Sequence, residues 1–174
     1  MSPTTHTDGT LETSEGRDVI RFERRLSHPI EKVWSALTEP EELAGWLAEA
    51  DLELVEGGPI ELRWLNTDDQ GNSTVVRGAI TELDPPHVIE YDTDVHGVLR
   101  WELREDGDAC VLKFSSRLSL PDDYRTKNLA GWHWHLDRLE DELAGHPYDW
   151  SRWADEGLAR WGSLHERYVA GLAG

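Results

Sequence analysis

Nine of the 174 residues are tryptophan and only two are phenylalanine. Tryptophan joins a broad apolar face to a single N–H donor, a combination that suits a cavity for flat or amphipathic molecules. Trp34, Trp46, Trp64, Trp101 and Trp132 fall where local spacing turns them inward, and Phe114 and Leu136 sit on the same kind of face. Two polar tips stand beside them. Tyr91 offers a phenol between apolar neighbours. His133 offers an imidazole at the margin of a helical stripe, suited to a polar contact or a proton transfer. These residues together are the candidate lining of a ligand pocket. For any one of them the alternative is plain core filling.

Other chemistry finds little support. His133-Trp134-His135 invites a metal reading, but on a helix positions i and i+2 point about 200° apart and cannot chelate one ion. No metal site and no cofactor is therefore expected. Cys110 is the sole cysteine, so an intrachain disulfide is impossible, and within Ala109-Cys110-Val111-Leu112 it reads as a small buried hydrophobe. Glu90 and Asp92 alternate with Ile89 and Tyr91, which puts the carboxylates on a wet face. Asp106-Gly107-Asp108 and Asp122-Asp123 read as turns. Nucleophile elbow, phosphate loop, dinucleotide fingerprint and zinc spacing are all missing, so no catalytic residue is assigned.

Charge narrows the partners. Seventeen Lys and Arg against 35 Asp and Glu give a formal charge of −18. Such a surface repels phosphate backbones and anionic lipid, so neither nucleic acid nor membrane is an expected partner. The nearest basic cluster, Arg21, Arg24 and Arg25, is interrupted by Glu23. Residues 1–17 are Thr/Ser/Gly/Glu-rich and resemble no secretory signal. No stretch approaches the ~20 apolar residues of a membrane span. A cytoplasmic protein with a disordered tail over residues 1–17 is the expectation.

The elements that must position the candidates follow from periodicity. Residues 18–27 read as a strand. Pro29 opens a short helix over 29–37 with Val33, Trp34 and Leu37 at helical spacing. Thr38 with Glu41 forms a capping-box pattern ahead of a second helix over 40–48. Six alternating runs follow, 51–55, 60–65, 73–83, 88–93, 98–104 and 109–118, separated by turn residues. Ile60/Leu62/Trp64, Leu99/Trp101/Leu103 and Cys110/Leu112/Phe114 give each run one apolar face. Such a half-apolar antiparallel sheet of about seven strands needs a cover. Residues 127–144 supply it, with Leu129, Trp132, Leu136, Leu139 and Leu143 on one stripe and Gly145 as a C-cap. Trp134 points nearly the opposite way and His135 lies on the flank. Residues 146–174 form an aromatic-rich helical extension, packed on the domain or at an interface.

The order of these elements is that of a helix-grip fold, and three motifs sharpen it. The run from Ser27-His28-Pro29 through Val33-Trp34 and Thr38-Glu39-Pro40 to Gly45-Trp46 resembles the opening of the SRPBCC (START-like) superfamily. More narrowly, it is similar to the branch of activator-of-Hsp90-ATPase homologues. Arg77-Gly78-Ala79-Ile80-Thr81-Glu82-Leu83-Asp84-Pro85-Pro86 resembles that branch's middle strand and turn. Gly131-Trp132 with Leu136, Leu139 and Leu143 is similar to the start of its long helix. The resemblance covers residues 18–145 and implies an α+β domain, a curved antiparallel sheet wrapped around a long helix with two short helices after the first strand.

Three functions are compatible with this. A binding module would hold a small apolar or aromatic molecule between sheet and helix, without a catalytic step. An aromatase/cyclase-type or hydrolytic enzyme would use Tyr91 and His133. A protein-interaction module, a homodimer or a chaperone-linked protein, would dock through the aromatic segment Trp150, Trp153, Trp161 and Tyr168.

Overall fold

Glu15 and Gly16 both take positive φ, 53° and 77°, the requirement of a two-residue hairpin loop whose twist matches its strands. The chain therefore folds Thr10–Ser14 (β1) back on Arg17–Leu26 (β2), pairing Ser14 with Arg17 and Thr10 with Arg21. This corrects the tail expected over residues 1–17, at least from Thr10 onward. The computed structural model describes residues 8–67 and 70–173. The first seven residues of that expected tail, and part of the turn expected between the runs 60–65 and 73–83, lie outside them.

The short helices are Ile30–Thr38 (α1) and Pro40–Leu43 (α2). The second is shorter than periodicity suggests, because Ala48 already begins a strand. Ala48–Leu52 (β3) pairs with Pro59–Trp64 (β4), Ala48 opposite Trp64 and Ala50 opposite Leu62. Small alanines lie across from the larger side chains, so both rows fit under the helix. Val75–Asp84 (β5), Val88–Thr93 (β6), Gly97–Asp106 (β7) and Ala109–Leu118 (β8) complete an eight-stranded antiparallel sheet, in the order β1-β2-β8-β7-β6-β5-β4-β3. Eight strands rather than about seven reflect the β1 hairpin. The register of β5 against β6 shifts between Ile80 and Glu82, a bulge that adds local bend to the sheet.

Asp122–Leu143 (α3) lies on the concave face. It starts earlier than expected, and Asp122 and Asp123 open its first turn instead of forming a loop. Its end is a Schellman cap: Gly145 at φ 89° donates its N–H to Glu142 O, and His146 donates to Asp141 O. The stripe Leu129, Trp132, Leu136, Leu139 and Leu143 is buried against the sheet.

Two charged groups are buried with the core. Arg24 projects inward from β2, 2% exposed, and meets Asp137 and Glu140 of α3 at 2.9 Å each. Asp18 accepts from Thr13 Oγ1, Leu120 N and Arg125. Burial raises its carboxyl pKa, but those donors outweigh the burial and hold it below the usual range. Both pairs tie the first long strand to α3 or its lead-in, since a buried charge without its partner costs several kcal/mol (~3–5).

After α3 the chain continues through a 3₁₀ turn at Trp150–Arg152 and a π turn at Trp153–Gly157 into Leu158–Ala173 (α4). The side chain of Leu172, assigned by periodicity to this helix, lies outside the described ones. This segment packs on α3 of the same chain: Trp153, Leu164 and Tyr168 are buried, while Trp150 and Trp161 are partly so. Among the described residues, no helix is long and apolar enough to cross a membrane.

Candidate functional site

The centre of the sheet–helix interface is filled. Trp101 of β7 lies 4.2 Å, ring centre to ring centre, from Phe114 of β8 and 5.7 Å from Trp46, edge on. Phe114 in turn lies 4.6 Å from Trp132. The Trp101 indole donates to the Tyr91 hydroxyl at 2.9 Å, and that of Trp46 donates to Ala36 O at 2.8 Å. Each buried N–H thus has its acceptor inside the core. Burial drives the Tyr91 phenol pKa upward, so it stays protonated. Leu136 is buried in the same layer, and Trp34 is half-buried on α1. Trp34, Trp46, Tyr91, Trp101, Phe114 and Leu136, all candidates for lining a pocket between sheet and helix, pack as core or half-buried residues instead, and only Phe114 among them borders a cleft, one on the β2–β8 side of the sheet.

A cleft opens at one end of the interface. It measures about 690 Å³ and lies between the end of β4, the β6–β7 turn, α3 and the C-terminal extension. Trp64 and Trp132 line it, as expected. The extension adds Trp153, Leu158, Trp161 and His165, and the β6–β7 turn adds His96. Trp134 and His135 also face it. Trp134 points away from the central sheet and His135 lies on the flank, as expected, yet both are buried: Tyr148, Trp150 and Trp153 cover Trp134, while His135 is enclosed by Trp64, Trp132 and Trp150. Trp153 meets the Trp134 ring edge to face at 4.9 Å and donates its own N–H to Thr67 O at 2.8 Å. Gly131 of α3 faces Trp161, and a Cβ there would make only ordinary contact with its indole nitrogen, at 3.8 Å.

Inside the cleft, Trp64 and Trp132 stand edge to face at 6.0 Å, with His96 and His135 against them. The His135 ring stacks on Trp64 at 5.5 Å and 27°, and its Nδ1 lies 2.9 Å from Trp46 O. The Trp64 indole donates to His96 Nε2 at 3.1 Å. Burial lowers both imidazoles to pKa values of about 4, opposed by Asp94 at His96 and by the Trp46 carbonyl at His135. Both rings are neutral near pH 7. Two polar atoms of lining residues, Asn66 Oδ1 and Trp134 Nε1, are buried beneath the surface without a hydrogen-bond partner among the described residues.

His133 is elsewhere. It faces β2 and α4, where its Nδ1 is 2.7 Å from the Tyr168 hydroxyl and its Nε2 is 3.5 Å from Asp137. Tyr91 and His133, the pair on which a catalytic reading rested, therefore sit in separate parts of the core, neither on the cleft. Cys110 is fully buried. No group of three or more His, Cys, Asp or Glu among the described residues could hold a metal ion. The cleft residues missed by sequence reasoning are His96, His135, Asn66, Trp134 and the wall supplied by the extension. His96 sits in a hairpin turn, where no periodicity marks it. The burial of Trp134 and His135 is visible only once the extension is seen to cover them.

A curved antiparallel sheet closed around one long helix, with a cleft at one end, defines a helix-grip domain. The chain belongs to the family described as Activator of Hsp90 ATPase homolog 1-like protein, whose model matches residues 27–144. The solution structure of CalU16 from Micromonospora echinospora is similar over 98% of this chain and 97% of its own, at 23% identity and a TM-score of 0.70. A conserved protein of unknown function from Enterococcus faecalis, EF2215, is similar over 98% and 93% of the two chains, at 20% identity and a TM-score of 0.70. The protein encoded by gene BPP1335 of Bordetella parapertussis is similar over 97% and 94%, at 25% identity and a TM-score of 0.66. No curated protein sequence matches. The family match stops before residue 150, so the cleft wall built by the extension lies beyond it.

Proposed function

We propose that the protein binds a small apolar or aromatic molecule in the cleft between β4, the β6–β7 turn, α3 and the extension. The observation that carries this reading is the cleft itself: about 690 Å³, walled by indole rings, with the imidazoles of His96 and His135 among them. Pockets for drug-sized ligands are typically about 300–1,000 Å³ and mostly apolar with a few placed polar groups. The interaction-module reading has less support, since Trp150, Trp153 and Tyr168 turn their rings onto the same chain.

Titration of intrinsic tryptophan fluorescence with two- and three-ring aromatic compounds tests the proposal, because Trp64, Trp132 and Trp161 would report occupancy directly. Saturable quenching at one site per chain is the expected result. Failure of every compound to saturate, together with native mass spectra showing no retained small molecule, would sink it.

A further inference from the structure

The cleft presents a fixed pattern of hydrogen-bonding groups, set by the partners each ring already has. His135 Nδ1 faces the Trp46 carbonyl, which only accepts, so that nitrogen carries the proton and Nε2 keeps a bare lone pair. No hydrogen-bond partner of His135 Nε2 is found among the described residues. His96 has the opposite arrangement: its Nε2 accepts the Trp64 N–H, so the neutral ring carries its proton on Nδ1. Trp134 Nε1 and Asn66 Oδ1, both without partners among the described residues, are buried behind the lining and out of a ligand's reach. Around the two imidazoles the contacts are ring faces and edges, with His135 stacked on Trp64 and Trp132 standing edge on to it.

Resting on the cleft being a ligand site, we infer that it selects a flat arene carrying a hydroxyl group, whose O–H donates to Nε2 of His135. The ring system lies among Trp64, Trp132 and Trp161, and a second oxygen on it would accept from Nδ1–H of His96. A saturated acyl chain satisfies none of these groups and gains no stacking. An arene without a hydroxyl stacks but leaves the His135 lone pair dry, and leaving a buried acceptor unpaired is where specificity arises. Burial favours the neutral form of both imidazoles, which preserves the donor–acceptor pattern near pH 7.

Three probes of nearly equal shape separate the possibilities: 2-naphthol, 2-methoxynaphthalene, which keeps the oxygen and loses the donor, and naphthalene. Isothermal titration should give 2-naphthol a Kd about fivefold lower than either of the others. On adding 2-naphthol the ¹⁵N resonance of His135 Nε2 should move upfield, as a lone pair that has accepted a hydrogen bond does, and naphthalene should leave it in place. His135→Phe keeps a ring against Trp64 and should abolish the advantage of 2-naphthol while naphthalene still binds. If that variant does not fold, the wild-type resonance decides. Equal affinities with an unmoved resonance overturn the inference and leave the cleft reading standing. Binding by none of the three overturns the cleft reading and this inference with it.

Discussion

The hydroxyl of Tyr168 lies 2.7 Å from Nδ1 of His133 and also accepts the backbone N–H of Gly9 at 2.8 Å. One oxygen thereby fastens α4 to α3 and to the lead-in of β1. Behind it, His133 Nε2 faces Asp137, which in turn holds the buried Arg24 of β2. Burial raises the Tyr168 phenol to a pKa of about 12, so it stays a donor. The helix carrying this junction also carries Trp161 and His165 on the cleft wall. Packing at one end of α4 thus sets the geometry of the site at the other.

Tyr168→Phe keeps the ring and removes the oxygen, leaving Gly9 N–H and His133 Nδ1 without that partner. The expected cost is about 2 kcal/mol, seen as a Tm lower by about 5 °C. Amide hydrogen exchange should quicken in α4 and around Gly9 before it does in β7 and β8. An unchanged Tm would show that the junction contributes nothing to stability.

Acid should weaken the fold well above the carboxylate range. His96, His133 and His135 are each lowered by burial from an ordinary 6.5 to about 4. Between those values the unfolded chain takes up protons that the folded chain refuses, so stability falls as pH drops from about 6.5 and is level above about 7. Each fully buried ring, His133 and His135, adds a slope of up to about 1.4 kcal/mol per pH unit. Glu42 and Glu142, raised by burial and then by nearby carboxylates, act in the opposite direction and soften the lower end. Urea midpoints measured at pH 7.5, 6.0 and 5.0 check this, and a flat profile would contradict it.

Removal of residues 146–174 should unfold the domain and not merely abolish an interaction. Trp134, covered by Tyr148, Trp150 and Trp153, would be exposed, along with the α3 surface under Leu164 and Tyr168. Loss of several large buried side chains at about 1.5–3 kcal/mol each predicts a Tm lower by at least about 10 °C, or recovery only as aggregate. A truncated chain with an unchanged Tm would mean the extension is dispensable to the fold.

Core and cleft aromatic residues should separate by substitution. Trp161→Ala removes a half-buried ring stacked on His165 at 5.1 Å and should weaken binding of 2-naphthol about tenfold at little cost in Tm. Tyr91→Phe leaves Trp101 N–H without its acceptor and should cost about 1 kcal/mol in urea unfolding, with the same Kd for 2-naphthol. The reverse pattern would place the ligand in the core instead of the cleft.

Much of this architecture is legible in the amino-acid sequence, for a local reason. Alternation over Ile60/Leu62/Trp64, Leu99/Trp101/Leu103 and Cys110/Leu112/Phe114 assigns faces because a pleated strand has period two. The stripe from Leu129 to Leu143 does the same with a helical period, and Gly145 marks its end because a left-handed cap suits glycine. Where β1 folds back, the only cue is Glu15-Gly16, too common a pair to signal a hairpin beside a strand that is mostly exposed. The site was decided by tertiary packing. Trp34, Trp46, Trp64, Trp101 and Trp132 look alike in periodicity. Yet three-dimensional volume consumes Trp46 and Trp101 in a filled centre and leaves Trp64 and Trp132 beside open space. Trp134 reads as an outward position and His135 as a flank position because a period reports only the direction relative to the sheet. Trp134 became interior when a segment 16 to 19 residues later in the chain, Trp150 and Trp153, closed over it, and His135 when Trp64 and the Trp46 carbonyl met it from the sheet side and Trp150 from the other.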